Sequence, residues 1–175
     1  CYLIYFGDIW MTCNLCGNVN LKSIFSLGLQ PLANKYPKDQ NEINNEKLYE
    51  MNIMFCEDCL SCNLPIDVDR KIFFSDYYYL SSVNKELVDH FKELANTLKN
   101  KKFVLDIGSN DGVLLKPLKQ LKINCVGVEP SKNVGEIANS LGLTTIISFF
   151  NKQCSSEILS KFGNPDCIVA SSVFT

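Results

Sequence analysis

The chain has 175 residues, room for one sizeable domain or two small ones. Hydrophobic residues make up 46% and charged residues 21%, an ordinary globular balance, and a formal net charge of −2 leaves no electrostatic footprint for nucleic acid. No apolar run approaches the roughly 20 residues of a membrane helix. The apolar opening CYLIYFGDIW lacks the basic start and small-residue cleavage site of a signal peptide, so a cytoplasmic protein without a membrane span is expected.

The first methionine is Met11, and residues 1–11 read as an upstream extension ahead of the working start. Residues 12–66, rich in Cys, Asn and Pro, form the next region, with β-like stretches such as LYEMNIMF. Of nine cysteines, Cys13, Cys16, Cys56, Cys59 and Cys62 form two tight groups, and the others are scattered in apolar contexts. Pairs of the form C-x-x-C favour metal over a disulfide framework. Cys13-x-x-Cys16 and Cys56-x-x-Cys59 each set two thiolates on a tight turn, Gly17 suits the sharp bend after the first pair, and together they complete a tetrahedral zinc site. Cys62 is a substitute ligand, and free core cysteines or an iron–sulfur cluster are the competing readings. Four thiolates leave no open coordination position, so the zinc is expected to be structural.

Residues 67–100 read as a connector: DRKIFFSDYYYLSS, then the helix NKELVDHFKELANTLKN with Leu87, Phe91, Leu94 and Leu98 on one stripe. His90 falls on or beside the polar side of that helix and reads as structural. From 101 to 175 strands and helices alternate. FVLDIG is followed by the helix GVLLKPLKQL, which Pro117 is expected to bend. NCVGVEP leads to the helix SKNVGEIANSLG, with Ser131 as N-cap and Gly142 as stop. TTIISFF, SSEILSKFG and DCIVASSVF complete the series. The rhythm predicts parallel βαβ units, with strands laid outward from the first and a switch of side before the fourth. The fold class is therefore α/β, a small four-cysteine zinc-binding domain followed by a Rossmann-like domain. The final run CIVASSVFT stops on apolar residues and reads as a truncation of that domain.

The turn after the first strand, Asp106-Ile-Gly108-Ser-Asn110-Asp111-Gly112, permits close backbone approach to a ligand at a helix start. Glu129, ending the second strand, offers a carboxylate for both hydroxyls of a ribose. Asn110 and Asp111 stand where a pyrophosphate would need room and no added negative charge, so a cationic cofactor with an amino-acid tail fits better than NAD.

CNLCGN with LGLQPLAN, MFCEDCLSCNLP, FFSDYYYLSS, and VLDIGSNDGVLL through GVEPSKNVGEIANSLG to SFF together resemble the zinc-containing sugar C-methyltransferases that act on nucleotide-linked deoxysugars. The resemblance implies a class I methyltransferase domain using S-adenosylmethionine, with methyl transfer to the carbon beside a 4-keto group. It implies that Gly108, Asn110, Asp111 and Gly112, after Asp106, cradle the methionine part of the cofactor and Glu129 the ribose. Phe149 and Phe150 would flank the adenine, with Pro130, Ser131, Asn133 and Ser171 completing the cofactor contacts and Tyr77 and Tyr79 reaching the sugar. The pattern departs after the fourth strand, where Ser171 and Ser172 replace paired asparagines, and the expected catalytic base would lie beyond Thr175. The chain alone is therefore expected to be inactive. Competing readings are the same architecture acting on another small molecule, a zinc-ribbon interaction module with a degenerate Rossmann domain, and a tyrosine run that merely packs a junction.

Overall fold

The computed structural model describes residues 11–64, 68–74 and 77–173; of the expected upstream extension 1–11, all but Met11 lies outside the described residues. The chain divides into two compact units, Cys1–Asp69 and Arg70–Thr175.

The first unit contains β1 (Leu21–Gln30), α1 (Gln40–Asn44), β2 (Tyr49–Cys56) and β3 (Cys62–Asn63), the strands pairing antiparallel in the order β1-β2-β3. The short helix α1 is started by Asp39, whose carboxylate accepts the Glu42 N–H at 2.9 Å while Glu42 Oε2 accepts the Lys38 N–H at 2.7 Å. Burial is thin: among the described residues of this unit only Cys13, Met54, Cys56 and Asn63 are buried. So little apolar burial cannot offset the conformational entropy of ordering the chain, and a unit of this kind needs a staple.

The second unit contains α2 (Arg70–Phe73), a 3-10 turn (Ser81–Val83), α3 (Lys85–Thr97), β4 (Phe103–Ile107), α4 (Leu115–Gln120), β5 (Asn124–Glu129), α5 (Lys132–Ser140), β6 (Thr145–Ile147), α6 (Lys152–Phe162) and β7 (Cys167–Val169). The four strands are parallel in the order β6-β5-β4-β7, the order expected from right-handed crossovers with one switch of side. Every residue of β4 is buried, the unbroken run of a central strand covered on both faces. Phe91, Ala95 and Leu98 of the α3 region pack with Val104, Val113, Leu114 and Leu118 in one cluster, and Phe103, Leu105, Ile107, Val126 and Val128 pack with Cys154 and Ile158 of α6 in another. The apolar stripe of the connector helix is thus part of the second unit's core, and His90 is exposed beside Phe91.

Several boundaries differ from expectation. The helix expected over GVLLKPLKQL is regular only from Leu115, so Pro117 lies in its first turn, where its missing N–H leaves no helical bond unmade. Ser131 holds the N-cap position of α5, but its hydroxyl makes no capping bond. Helix α6 starts earlier than SSEILSKFG suggests, because Asn151 accepts the Cys154 N–H at 2.9 Å. Gly142 does end α5: it donates to Asn139 O, and Leu143 N–H reaches Ala138 O, the paired bonds of a Schellman motif.

Candidate functional site

The Sγ atoms of Cys13, Cys16, Cys56 and Cys59 all lie within 4.8 Å of one another. Thiolates about 2.3 Å from a tetrahedral zinc would sit about 3.8 Å apart. Cys13 and Cys59 are 3.6 Å apart and Cys16 and Cys56 3.7 Å, so the donor set fits that ion. The two knuckles are built alike: Gly17 N–H donates to Cys13 O at 2.8 Å, and Leu60 N–H to Cys56 O at 2.9 Å. Cys62, the substitute ligand, is exposed on β3 and outside the cluster.

Two residues that no spacing rule marks hold this centre. The Ser61 hydroxyl lies 3.1 Å from Cys59 Sγ and 3.4 Å from Cys13 Sγ. It leads the hydrogen bonds that pull both thiols below their usual range, Cys13 to about 5. Buried Asn63 ties the knuckles to each other: its Oδ1 accepts the Asn14 N–H at 2.8 Å, and its Nδ2 donates to Ser61 O and Oγ at 3.3 and 3.0 Å.

The second site lies at the carboxyl ends of β4 and β5, where open α/β sheets bind ligands. Glu129 is buried, and its carboxylate joins two segments: Oε2 accepts the Asn110 N–H at 3.0 Å and Oε1 the Ser131 N–H at 2.8 Å. It thus takes up the N–H of the N-cap residue itself and sets a negative charge at the α5 N-terminus. Asp106 is buried nearby, and burial followed by the charge of Glu129 pushes its carboxyl up to about 7. At Gly112, φ is +83°, and an added Cβ would collide with Leu143 Cδ1. Three side-chain oxygens around this turn, Ser109 Oγ, Asp111 Oδ1 and Ser131 Oγ, are buried without a hydrogen-bond partner. The two hydroxyls can donate or accept, whereas the Asp111 carboxylate oxygen only accepts and suits a ligand that brings donors or positive charge.

The amide of Asn110 is committed elsewhere: Oδ1 accepts the Ser81 N–H at 2.8 Å and Nδ2 donates to Tyr79 O at 3.1 Å. Asp111 Oδ2 accepts from the Ser82 hydroxyl and, at 3.3 Å, from its N–H. Asn133 holds Tyr77, with Nδ2 donating to Tyr77 O at 2.8 Å. Phe149 joins Phe74 edge-on, centroids 5.9 Å apart, under the Arg70 guanidinium at 5.6 Å. Pro130 is half-buried beside Glu129, whereas Phe150 and Ser171 are exposed.

A parallel sheet with a glycine turn after its central strand and an acid ending the next defines a Rossmann-like ligand-binding domain. The family profile described as a methyltransferase domain matches residues 79–175, more than half of the chain, and the chain belongs to that family. A second profile, described as a zinc binding domain, matches residues 13–74, the stretch that holds the four-cysteine centre. The C-methyltransferase NovU of Streptomyces niveus is 27% identical over 157 residues, 86% of this chain and 37% of NovU, so the chain spans little more than a third of that relative. A SAM dependent methyltransferase from Archaeoglobus fulgidus matches 35% of the chain and 28% of its own at 19% identity and a TM-score of 0.33. The plantazolicin methyltransferase BpumL, solved with SAH, matches 47% and 34% at 19% identity and a TM-score of 0.34. These two likenesses are too slight to bear on function.

Proposed function

We propose that the chain carries the zinc-binding and S-adenosylmethionine-binding portions of a C-methyltransferase for a nucleotide-linked 4-keto-deoxysugar. The observation that carries the cofactor reading is the Glu129 carboxylate, buried at the end of β5 and bridging the glycine turn to α5. Each of its oxygens accepts one backbone N–H and keeps further lone-pair capacity, enough for two ribose hydroxyls. Asp111 Oδ1, buried and unpaired, suits the ammonium of an amino-acid tail better than a phosphate. In this reading Gly108, Asn110, Asp111 and Gly112 surround that tail. Pro130, Ser131, Asn133, Phe149, Phe150 and Ser171 line the nucleoside, and Tyr77 and Tyr79 face the sugar. The 27% identity to a C-methyltransferase supports carbon as the atom methylated.

S-adenosylmethionine, when bound, supplies an electrophilic methyl group. A carbon beside a carbonyl becomes its nucleophile once a base removes a proton and the enolate oxygen is stabilised. The residues of this chain contribute position: a buried acid and a backbone turn fix one reactant, so that the other meets it in line. The zinc centre, with four thiolates, contributes structure and no open coordination site.

Native mass spectrometry of the protein with zinc and S-adenosylmethionine tests this reading. One zinc and one cofactor per chain are expected; zinc without cofactor would favour an interaction module instead. Glu129→Ala should weaken cofactor binding by roughly 1–3 kcal/mol through loss of charged hydrogen bonds. An unchanged affinity would remove Glu129 from the ribose.

A further inference from the structure

The segment Tyr77–Ser82 is bonded to side chains at the carboxyl ends of β5 and β4, and the ring of Tyr77 packs on Phe74, which reaches β6. Beyond β6, Phe74 packs on Phe149, and Tyr77 lies against Phe74 with centroids 5.8 Å apart. Beyond β5, Asn133 in the first turn of α5 takes the main chain of Tyr77 from both sides, Nδ2 donating to its carbonyl at 2.8 Å and Oδ1 accepting its N–H at 3.4 Å. Beyond β4, Asn110 repeats the pattern, donating to Tyr79 O at 3.1 Å and accepting the Ser81 N–H at 2.8 Å. Asp111 then accepts the Ser82 N–H. A carboxamide presents donor and acceptor side by side, so it can pair with a peptide edge as a neighbouring strand would. A carboxylate there would face a carbonyl oxygen with no proton to give.

We propose that Asn110 and Asn133 are positioning residues, two clips that hold the Tyr77–Ser82 strap across the strand-end crevice by its main chain. In the cofactor reading above, on which this rests, the clips fix where Tyr77 and Tyr79 stand and close the strap over the bound cofactor. Neither clip uses a tyrosine ring or hydroxyl. The exposed side chain at 79 is therefore exchangeable without undoing the strap, and the amides at 110 and 133 are not.

The test is hydrogen exchange of the whole chain, followed over residues 77–82 and over β4 and β5, together with titration by S-adenosylhomocysteine. Asn133→Asp and Asn110→Asp should each speed exchange in the strap by about tenfold or more while β4 and β5 keep their protection. Both should weaken the ligand by about tenfold, and Tyr79→Phe should change strap exchange in neither direction. Where an added charge disturbs β4 or β5, Asn133→Ala is the deciding variant. Unchanged strap exchange in the asparagine variants would overturn the clips. Faster exchange with unchanged ligand affinity would overturn the positioning role and leave a plain loop tie. Failure of wild-type protein to bind the ligand would count against the cofactor reading itself, and strap exchange would still decide the clips.

Discussion

Leu60 and Gly17 stand at the same place in the two knuckles, one position after the second cysteine of each pair. Both are in the left-handed region, with φ of 62° and 75°. The conformation comes at no steric cost to glycine but strains a side chain with a Cβ, and the Leu60 side chain is 72% exposed, so it gains little in return. Leu60→Gly should therefore stabilise the first unit by about 0.5–1 kcal/mol after the entropy of the added glycine is counted, read from thermal unfolding in excess zinc. Asp106 acts in the opposite sense. Its folded carboxyl titrates at about 7 rather than the ordinary 3.8, because burial and the Glu129 charge oppose ionisation. The folded state therefore holds its proton more tightly than the unfolded chain does. The stability this contributes is complete below about pH 4 and is lost as pH rises to about 7, by up to about 4 kcal/mol. Urea unfolding at pH 5 and pH 8 should show that loss in the wild type, and Asp106→Asn should flatten it. An equally steep decline in the variant would assign the effect to another group.

Elements were legible where a local pattern has one physical meaning. The run FVLDI, closed by a glycine turn, reads as a strand, and the Leu87, Phe91, Leu94 and Leu98 spacing reads as a helix with one apolar face; both elements form as read. Edges were not legible in the same way. Ser131 has the composition of a cap, but its hydroxyl makes no capping bond, and the Glu129 carboxylate two residues earlier accepts the Ser131 N–H instead, a contact that spacing does not encode. In the candidate site the four zinc cysteines, the glycine turn and Glu129 could be read from spacing. Asn63, Ser61 and Ser82 could not, since a side chain bonded to distant main chain leaves no periodic trace. The glycine turn carries a further constraint. Gly112 combines a positive φ with contact on Leu143, which belongs to the Schellman end of α5, so one glycine joins the turn to the helix on the next strand. Gly112→Ala should cost about 3 kcal/mol from backbone strain and overpacking together, measured by urea unfolding of the second unit. A loss below about 1 kcal/mol would mean that Leu143 yields freely.

At the scale of the whole molecule the two units are stabilised by different means. The second buries apolar clusters on both faces of its sheet, whereas the first buries one methionine, two cysteines and an asparagine among its described residues. Among the described residues no helix is long and apolar enough to cross a membrane. Chelation of zinc should therefore unfold the first unit and leave the second folded. Limited proteolysis with a strong chelator should cut within residues 11–64 and spare 84–169. Survival of the first unit without metal would show that its sheet is self-sufficient.

The thiols of Cys16 and Cys56 meet across 40 positions of chain. Each knuckle is a short turn that closes quickly, but joining them closes a long loop at an entropic cost of roughly 3 kcal/mol. During refolding, a zinc ion caught by one pair waits for the second, and the second can come from another molecule. A flexible loop of this length presents its partner at an effective concentration of about a millimolar. In dilute solution the intramolecular pair wins, and in a concentrated pellet of unfolded chains the intermolecular one does. Crowding thus converts the staple of a small unit into a cross-link between copies.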